Sequence, residues 1–286
     1  MTAASTIPIT IFISSGEASR IECKVLMYSL RRNSKRDLDI RVFNGTHNTV
    51  ERDGHPPEPA PLSLKVKYQN VTEFSNYRFL VPQLCGNVGR AISMDSDTIA
   101  VGDIGELFDA EMDGCDLLAK PAAYGNKTDE QWGLSVVLFD CARSHFAVDQ
   151  YFDEISAGLY DYSDLHQMRP RFLTHHPLKI GRIDPRWNEF DHCYSDTRLI
   201  HYTNLYTQPW KFRSHPYGDL WFRYFDEARK AGYITDRDIE LALVRAYARR
   251  DLLEGNRWTP LSYLRRMALD FRSEFRCILA KILPNR

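Results

Sequence analysis

The sequence contains no apolar stretch long enough to cross a membrane and no excess of charge of either sign. No apolar run approaches the roughly 18 residues that a spanning helix needs, and the mean hydropathy is −0.42. The chain carries 37 Lys and Arg residues against 38 Asp and Glu residues, a formal net charge of −1. Because nucleic-acid binders normally carry a basic excess, we expect no nucleic-acid partner.

Closely spaced cysteine pairs are also absent. No two of the six cysteines have the C-x-x-C spacing of a zinc ribbon or a redox pair. Scattered thiols in a chain of 286 residues are typical of a reducing compartment. The first six residues carry no Lys or Arg, and the apolar stretch that follows is shorter than a signal-peptide core. We therefore expect a cytoplasmic protein.

The chain opens with the pattern of a βαβ unit. Residues 7–13 are β-branched and aromatic, and turn residues follow them. From Ala18 to Leu30 apolar residues recur at helical spacing, and residues 38–43 alternate as a second strand. A strand, a helix and a strand joined by short links indicate a parallel α/β sheet.

Later segments continue this alternation less clearly. Residues 74–84 are predicted as a helix, and residues 91–94 and 135–139 as strands. Residues 46–63 are polar and Pro-rich, and residues 158–198 lack periodicity, so both are predicted as loops. From Leu220 onward the pattern is helical.

Two carboxylates stand where an apolar strand ends, in Ala91-Ile-Ser-Met-Asp95-Ser96-Asp97. Ligands of open α/β sheets bind outside the carboxyl ends of strands. Residues two apart on an extended chain point the same way, so Asp95 and Asp97 can share one hard cation such as Mn²⁺ or Mg²⁺. Such an ion can bridge diphosphate oxygens and neutralise charge on a leaving phosphate.

Four segments, in order, resemble the retaining glycosyltransferases of family 8, the group that contains glycogenin and the bacterial lipopolysaccharide hexosyltransferases. They are residues 7–30, Phe74-Ser-Asn-Tyr-Arg78-Phe79 with residues 90–99, Gly102-Asp-Ile-Gly-Glu-Leu-Phe108, and Asp184-Pro-Arg-Trp-Asn188 with Ile200-His-Tyr-Thr203 and Gln208-Pro-Trp210. The resemblance implies a GT-A fold, an α/β Rossmann-type mixed sheet flanked by helices. It implies a catalytic domain over residues 1–215 and a helical C-terminal extension over residues 216–286.

By this resemblance the protein is a metal-dependent hexosyltransferase. It would move a hexose from a nucleoside-diphosphate sugar, a UDP-sugar by family default, to a hydroxyl group with retention. The acceptor would be a glycan or a lipid-linked glycan in surface polysaccharide synthesis. Asp95, Asp97 and His201 would bind Mn²⁺ or Mg²⁺. The residues expected to contact the donor are Ser15, Glu17, Arg78, Asp95, Ser96, Asp97 and Lys211.

Two segments depart from the family pattern near the nucleotide. Residues 14–17 lack the Asp and Tyr that usually contact the base, so Glu17 or backbone groups would substitute. Asn204 and Gln208 replace the usual Gly and Lys, which leaves Lys211 as the nearest cation for the diphosphate. The identity of the base is therefore open.

The group beneath the anomeric carbon of the sugar is also open. Asp161 and Asp164 are the acidic candidates, and Gln131 stands where the family has an Asn-containing donor-sugar loop. Retaining transfer proceeds either by front-face attack, in which the leaving phosphate helps to deprotonate the acceptor, or through a protein nucleophile in a double displacement. The sequence favours neither mechanism.

The last 30 residues have the pattern of a basic amphipathic helix. Residues 257–286 contain seven basic and two acidic residues. Such a helix packs either on the catalytic domain or on an anionic membrane surface, and the second alternative would place the protein peripherally on the inner face of the membrane. Its apolar face comprises Leu264, Met267, Phe271, Phe275, Ile278 and Ile282.

Two other functions are compatible with parts of the sequence. A strand followed by Asp-x-Asp-Thr-Ile also fits haloacid-dehalogenase phosphatases, with Asp95 as nucleophile and Asp97 as acid/base. That family normally opens with this motif, whereas a complete βαβ unit precedes it here, and no later acidic pair with an upstream Lys is convincing. The departures at Gly16 and Gln208 also allow a non-catalytic binder of sugar nucleotides.

Overall fold

A computed structural model describes residues 7–61, 72, 74–122, 131–213 and 215–256, together with Pro260, Leu264, Met267, Ala268 and Phe271. The strands are β1 (Ile9–Ser15), β2 (Leu38–Asn44), β3 (Thr49–Arg52), β4 (Glu58–Pro59), β5 (Arg90–Asp95), β6 (Thr98–Ala100), β7 (Leu117–Ala122), β8 (Gln131–Asp140), β9 (Ile180–Arg182), β10 (Glu189–Phe190) and β11 (Leu199–His201). The α-helices are α1 (Arg20–Asn33), α2 (Val81–Leu84), α3 (Gly105–Phe108), α4 (Val148–Ser156), α5 (Tyr162–His166), α6 (Pro170–His175), α7 (Gly218–Lys230) and α8 (Asp236–Val244).

Eight of the strands form one mixed sheet in the order β4-β3-β2-β1-β5-β8-β7-β9. β1 runs parallel to both of its neighbours, β2 and β5, whereas β8 is antiparallel to β5. A smaller sheet contains β10, β11 and β6. The predicted mixed sheet and its opening βαβ unit, β1-α1-β2, are confirmed.

The central strand β1 is buried on both faces, as expected for a parallel strand between two layers. Ile9, Ile11 and Ile13 pack into one apolar cluster with residues of α1. Phe12 points the other way and stacks on Phe43 of β2 at 5.3 Å between ring centroids. This two-sided burial explains why residues 9–13 are an almost continuous apolar run.

Three segments differ from the sequence-based expectation. Residues 74–84 form a turn, a 3-10 helix (Tyr77–Leu80) and the short α2 rather than one helix. The predicted loop at residues 46–63 contains β3 and β4 in its described part. The predicted loop at residues 158–198 contains α5, α6, β9 and β10. These elements have two to six residues, too few for periodicity to reveal them.

Within the described residues, the helical pattern predicted from Leu220 onward is present as α7 and α8, which pack against α1 and β11. Trp221 and Phe225 of α7 share an apolar cluster with Val25 of α1 and Ile200 of β11. No helix among the described residues is long and apolar enough to cross a membrane.

A buried carboxylate fastens α8 to α1. Asp238 accepts hydrogen bonds from Arg20 Nε at 2.8 Å and Lys24 Nζ at 2.6 Å. It also forms the capping box of α8 with Thr235. Because one side chain makes all these contacts, we expect Asp238→Ala to lower the free energy of unfolding by about 2 kcal/mol. Chemical denaturation of the variant and the wild type measures this difference.

Asp236→Ala is the matched control for this variant, because Asp236 occupies the same helical turn with its side chain in solvent. The control should change stability by less than about 0.5 kcal/mol. Equal stability of the two variants would contradict a fastening role for Asp238.

A second polar cluster joins α4 to the end of α6 and predicts a pH-dependent stability. Tyr160 Oη and His176 Nε2 lie 2.7 and 2.5 Å from Glu154 Oε2. Burial alone would raise the pKa of Glu154, but the hydrogen bonds from His176 and Tyr160 outweigh it and lower the pKa to about 2. A folded pKa below the unfolded value of 4.5 means that the contact stabilises fully above about pH 4.5 and less as the pH falls toward 2.

The stability difference between the wild type and Glu154→Gln should therefore shrink from pH 6 to pH 3 in denaturant titrations. Asp153→Asn, on the exposed side of the same helix, is the control and should show no such change. A difference for Glu154→Gln that stays constant with pH would show that its carboxylate charge does not stabilise the fold.

Candidate metal and donor site

Asp95, Asp97 and His201 converge beyond the end of β5. One ligand atom from each lies within 4.8 Å of the others. Asp95 ends β5, a tight turn leads into β6, and β6 pairs with β11 so that Thr98 lies opposite His201. The three predicted ligands therefore meet because Asp95 and Asp97 lie at the β5-β6 turn and β6 pairs with the strand that carries His201.

A hydrogen-bond chain orients the His201 ring. Its Nε2 lies 2.9 Å from Asp97 Oδ1, and its Nδ1 lies 3.1 Å from Oδ1 of the fully buried Asn188. Asn188 Nδ2 donates to Ser135 Oγ at 2.9 Å. Because Asn188 accepts a hydrogen bond from Nδ1, the ring is held with Nε2 facing the carboxylates. Metal-binding histidines usually donate their other ring N–H to a hydrogen-bond acceptor in this way.

Arg78 holds the other carboxylate. Its Nη2 lies 3.0 Å from Asp95 Oδ1, its Nε donates to the Ser75 carbonyl at 2.8 Å, and its Nη1 donates to the Leu134 carbonyl of β8. The guanidinium is buried. Arg78, one of the residues predicted to contact the donor, therefore fixes the position of Asp95.

The pKa values of Asp95 and His201 depend on burial and on the neighbouring charges. Burial raises the pKa of Asp95 despite the opposing charge of Arg78, and the nearby Asp97 carboxylate adds to the rise. Burial alone would lower the pKa of His201, but the Asp97 carboxylate outweighs it and raises the pKa. Two carboxylates and one imidazole in this arrangement form a suitable ligand set for a divalent cation.

A cavity of about 400 Å³ opens over Asp95 and Asp97, with the buried His201 behind them. Lys211, Arg78 and Ser96 line it, as expected for donor-binding residues. Gln208, which replaces the usual Lys, also lines it and places its Nε2 3.3 Å from Asp97 Oδ2. Its other lining residues are Ala18, Ser19, Glu22, Thr72, Phe74, Ser75, Asp95, Asp97, His166 and Leu205.

Ser15 and Glu17, also predicted to contact the donor, line a neighbouring cavity between α1 and the β2-β3 hairpin. The Glu17 carboxylate interacts with the Arg245 guanidinium and accepts a hydrogen bond from Tyr247 at 3.2 Å. These contacts join the β1-α1 connection to the segment that follows α8.

The three candidate catalytic residues lie outside the lining of the 400 Å³ cavity. Asp161 and Asp164 form the capping box of α5, and Asp164 lies 3.7 Å from Arg169. Gln131 is buried at the start of β8, and its amide atoms have no hydrogen-bond partner among the described residues.

Two ionisable residues that line the cavity, Glu22 and His166, were missed by the sequence analysis. Glu22 lies on the buried side of α1, and the available signal was a carboxylate within the apolar stripe of Ile21, Val25 and Leu26. His166 ends α5; burial, together with the charge of Arg78, lowers the pKa of His166 to about 3, so its imidazole is neutral. A five-residue helix gave no pattern that placed His166 here.

Solved structures give an independent comparison of the fold. The galactosyltransferase LgtC, solved with donor and acceptor sugar analogues, aligns over 82% of this chain and 100% of its own at a TM-score of 0.60 and 12% identity. The fold is that of GT-A glycosyltransferases. The resemblance inferred from the four sequence segments is thereby confirmed at the level of fold.

Two further GT-A structures agree. The bifunctional glycosyltransferase WbbM aligns over 84% of this chain and 52% of its own, with a TM-score of 0.55 and 15% identity. The glycosyltransferase GlyE of Streptococcus pneumoniae TIGR4 aligns over 84% of this chain and 64% of its own, with a TM-score of 0.54 and 13% identity. No protein-family profile and no curated protein sequence matches the chain.

Proposed function

We propose that the protein is a metal-dependent glycosyltransferase that moves a hexose from a nucleoside-diphosphate sugar to a hydroxyl group. The observation that carries this proposal is the meeting of Asp95, Asp97 and His201 at the edge of a cavity of the GT-A fold, which the two carboxylates line. In this proposal residues 1–215 form the catalytic unit and residues 216–286 its helical extension.

The ligand set supports Mn²⁺ or Mg²⁺ as the cofactor. Asp95 and Asp97 would supply hard oxygen ligands and His201 an imidazole nitrogen, a combination that Mn²⁺ accepts readily. When bound, the ion would neutralise negative charge that develops on the leaving diphosphate. Asn188 and Arg78 would keep the ligands in place through the contacts described above.

Other cavity residues have roles in binding the donor. Lys211, exposed at the cavity, would attract the diphosphate, and Gln208 would offer a neutral amide in place of the usual cation. His166, on the Arg78 side, would face the sugar as a neutral hydrogen-bonding group. A UDP-sugar donor follows the family default.

Retention by front-face attack is the mechanism that the cavity favours. Among the described residues, the carboxylates that line the cavity are those of Glu22 and of the two candidate metal ligands, Asp95 and Asp97. Asp161 and Asp164 are engaged in the α5 cap. The leaving diphosphate would therefore help to deprotonate the acceptor hydroxyl, on a glycan or lipid-linked glycan in surface polysaccharide synthesis.

Release of nucleoside diphosphate tests the proposal. The purified protein is incubated with Mn²⁺ and UDP-glucose, UDP-galactose, UDP-N-acetylglucosamine or GDP-mannose, and the released nucleotide is measured by chromatography. Turnover of one donor, stopped by EDTA, is the expected result. Binding without turnover would indicate a non-catalytic sugar-nucleotide binder, and phosphate release from phosphomonoesters would indicate the phosphatase alternative.

The phosphatase alternative has weaker support. It requires a second acidic pair near Asp95 and Asp97, but the third member of the metal-ligand group in the described part of the chain is His201. Arg78 also holds Asp95, the group that would have to attack a phosphorus atom.

We also propose peripheral contact with an anionic membrane through the basic C-terminal segment. Leu264, Met267 and Phe271 are helical and 61%, 53% and 72% exposed. Phe275, Ile278 and Ile282, on the same predicted apolar face, lie outside the described residues. Exposed apolar side chains beside seven basic residues are typical of helices that lie on anionic lipids.

Co-sedimentation with phosphatidylglycerol vesicles tests the membrane proposal. The wild type should pellet, whereas the full-length double variant Leu264→Glu, Phe271→Glu should stay in the supernatant. Phosphatidylcholine vesicles are the neutral control. Equal pelleting of the two proteins on anionic vesicles would contradict the proposal.

A further inference from the structure

The cavity extends to both sides of the candidate metal site. On one side lie Ala18, Ser19 and Glu22, from the connection after β1 and the first turn of α1. On the other side lie Arg78, which contacts the β8 backbone, and His166. Because β1 and β8 flank β5 on opposite edges, a diphosphate at the metal would have its two substituents on these two sides.

Glu22 is an unusual residue on the α1 side. It is only 4% exposed, yet none of the described Lys, Arg or His side chains forms an ion pair with it. Burial raises the pKa of Glu22 to about 8; the charge of Lys211 opposes this rise and that of Asp97 increases it. The Ser19 side chain hydrogen-bonds to Glu22 and opposes the rise as well. Buried carboxyl groups normally lie beside a cation, so one that lines a cavity without an ion pair among the described residues is a candidate ligand contact.

We propose that the carboxyl group of Glu22 recognises the nucleoside half of the donor by accepting hydrogen bonds from its N–H or O–H groups. This inference rests on the proposed function, because it requires a nucleoside diphosphate in the cavity. Rossmann-type sheets place the nucleoside beside the connection that follows the first strand, where Glu22 lies.

The assignment also accounts for the unusual residues between β1 and α1. Glu17 makes its contacts with Arg245 and Tyr247, beside a different cavity. Glu22, one turn further along the chain, supplies a carboxyl group from the helix instead. A site built to hydrogen-bond a ligand rejects analogues that lack the matching donor, because its buried polar group is then left unpaired.

Calorimetric titration of Glu22→Ala and Glu22→Gln against the wild type tests the inference, with Mn²⁺ present throughout. The ligands are UDP, GDP, ADP, CDP, 2′-deoxy-UDP and inorganic pyrophosphate, which has the phosphates but no nucleoside. Glu22→Ala should weaken the preferred nucleoside diphosphate by about tenfold, the effect of losing one hydrogen bond in a buried site. Its affinity for pyrophosphate should stay within about twofold of the wild type.

The nucleotide panel identifies the group that Glu22 contacts. If it contacts the 2′-hydroxyl of the ribose, the loss is equal for all bases and absent for 2′-deoxy-UDP; if it contacts the 3′-hydroxyl, the loss is equal for all of these nucleotides. If it contacts the base, the order of preference among the four ribonucleotides changes. Glu240→Gln, on the exposed side of α8, is the matched control and should bind as the wild type does. Thermal melts should show little loss of stability in Glu22→Gln, because no ion pair is broken and the amide oxygen can still accept the hydrogen bond from Ser19.

Three results would overturn the inference. Unchanged nucleotide affinity in Glu22→Ala would remove any role in recognition. Equal losses for nucleotide and pyrophosphate would show that Glu22 acts through the metal site instead. A wild type that binds pyrophosphate but no nucleoside diphosphate would leave no nucleoside to recognise. If the proposed function itself is wrong, the wild type binds neither a nucleoside diphosphate nor pyrophosphate. That outcome differs from the first two results, in which the wild type binds both.

Discussion

Asp97→Asn is expected to reduce donor turnover by at least about 1000-fold, equivalent to about 4 kcal/mol of transition-state stabilisation. Asp97 Oδ1 lies 2.9 Å from His201 Nε2, and Oδ2 lies 3.3 Å from Gln208 Nε2. Asparagine keeps the shape of the side chain but removes the negative charge and one oxygen ligand. The variant should therefore lose divalent-metal affinity while its backbone stays in place.

The thermal melt of the metal-free variant should match that of the wild type, because relief of the repulsion between Asp97 and Asp95 offsets the loss of the ion pair between Asp97 and His201. Asp109→Asn is the matched control, since Asp109 is exposed and pairs with Arg36 away from the cavity. Turnover and Mn²⁺ affinity are measured for both variants. Transfer that survives in Asp97→Asn would show that the metal assignment is wrong.

Asn188→Ala should weaken Mn²⁺ binding by about 10- to 100-fold, the usual effect of removing a second partner of a metal-binding histidine. Asn188 Oδ1 is the acceptor 3.1 Å from His201 Nδ1, and the amide is itself fixed by Ser135. Without this acceptor the ring can rotate and place its proton on Nε2. Electron paramagnetic resonance of free Mn²⁺ gives the affinity directly.

Asn188→Asp distinguishes the orientation of the His201 ring from the packing of the residue 188 side chain. It keeps an acceptor for Nδ1 and should retain Mn²⁺ affinity much closer to the wild type than Asn188→Ala does. If both variants bind Mn²⁺ as the wild type does, the contact with Asn188 is not what orients His201.

The sequence predicted those parts of the protein that form strong local patterns. The β-branched and aromatic run of β1 and the 14-residue α1 predicted the start of the βαβ unit. Asp95 and Asp97 could be placed because both stand at the end of one apolar strand. His201 needed the family resemblance, because its pairing through β11 and β6 is a long-range contact that no local pattern encodes.

The remaining parts of the site depend on tertiary contacts. Helices α5 and α6 have five and six residues and are fixed by the capping box of Asp161 and by packing of Phe172 on Tyr160, so periodicity could not detect them. Glu22 stands in an apolar helix stripe, and only the folded chain shows that this stripe borders a cavity.

The central claim is that Asp95, Asp97 and His201 form a metal site that binds a nucleoside diphosphate. Isothermal titration of the wild type with UDP, GDP, ADP and CMP, each in Mn²⁺ and again in EDTA, tests it most directly. We expect one nucleoside diphosphate to bind in Mn²⁺ and its binding to disappear in EDTA. Absence of binding to all four nucleotides, or binding that EDTA leaves unchanged, would contradict the claim.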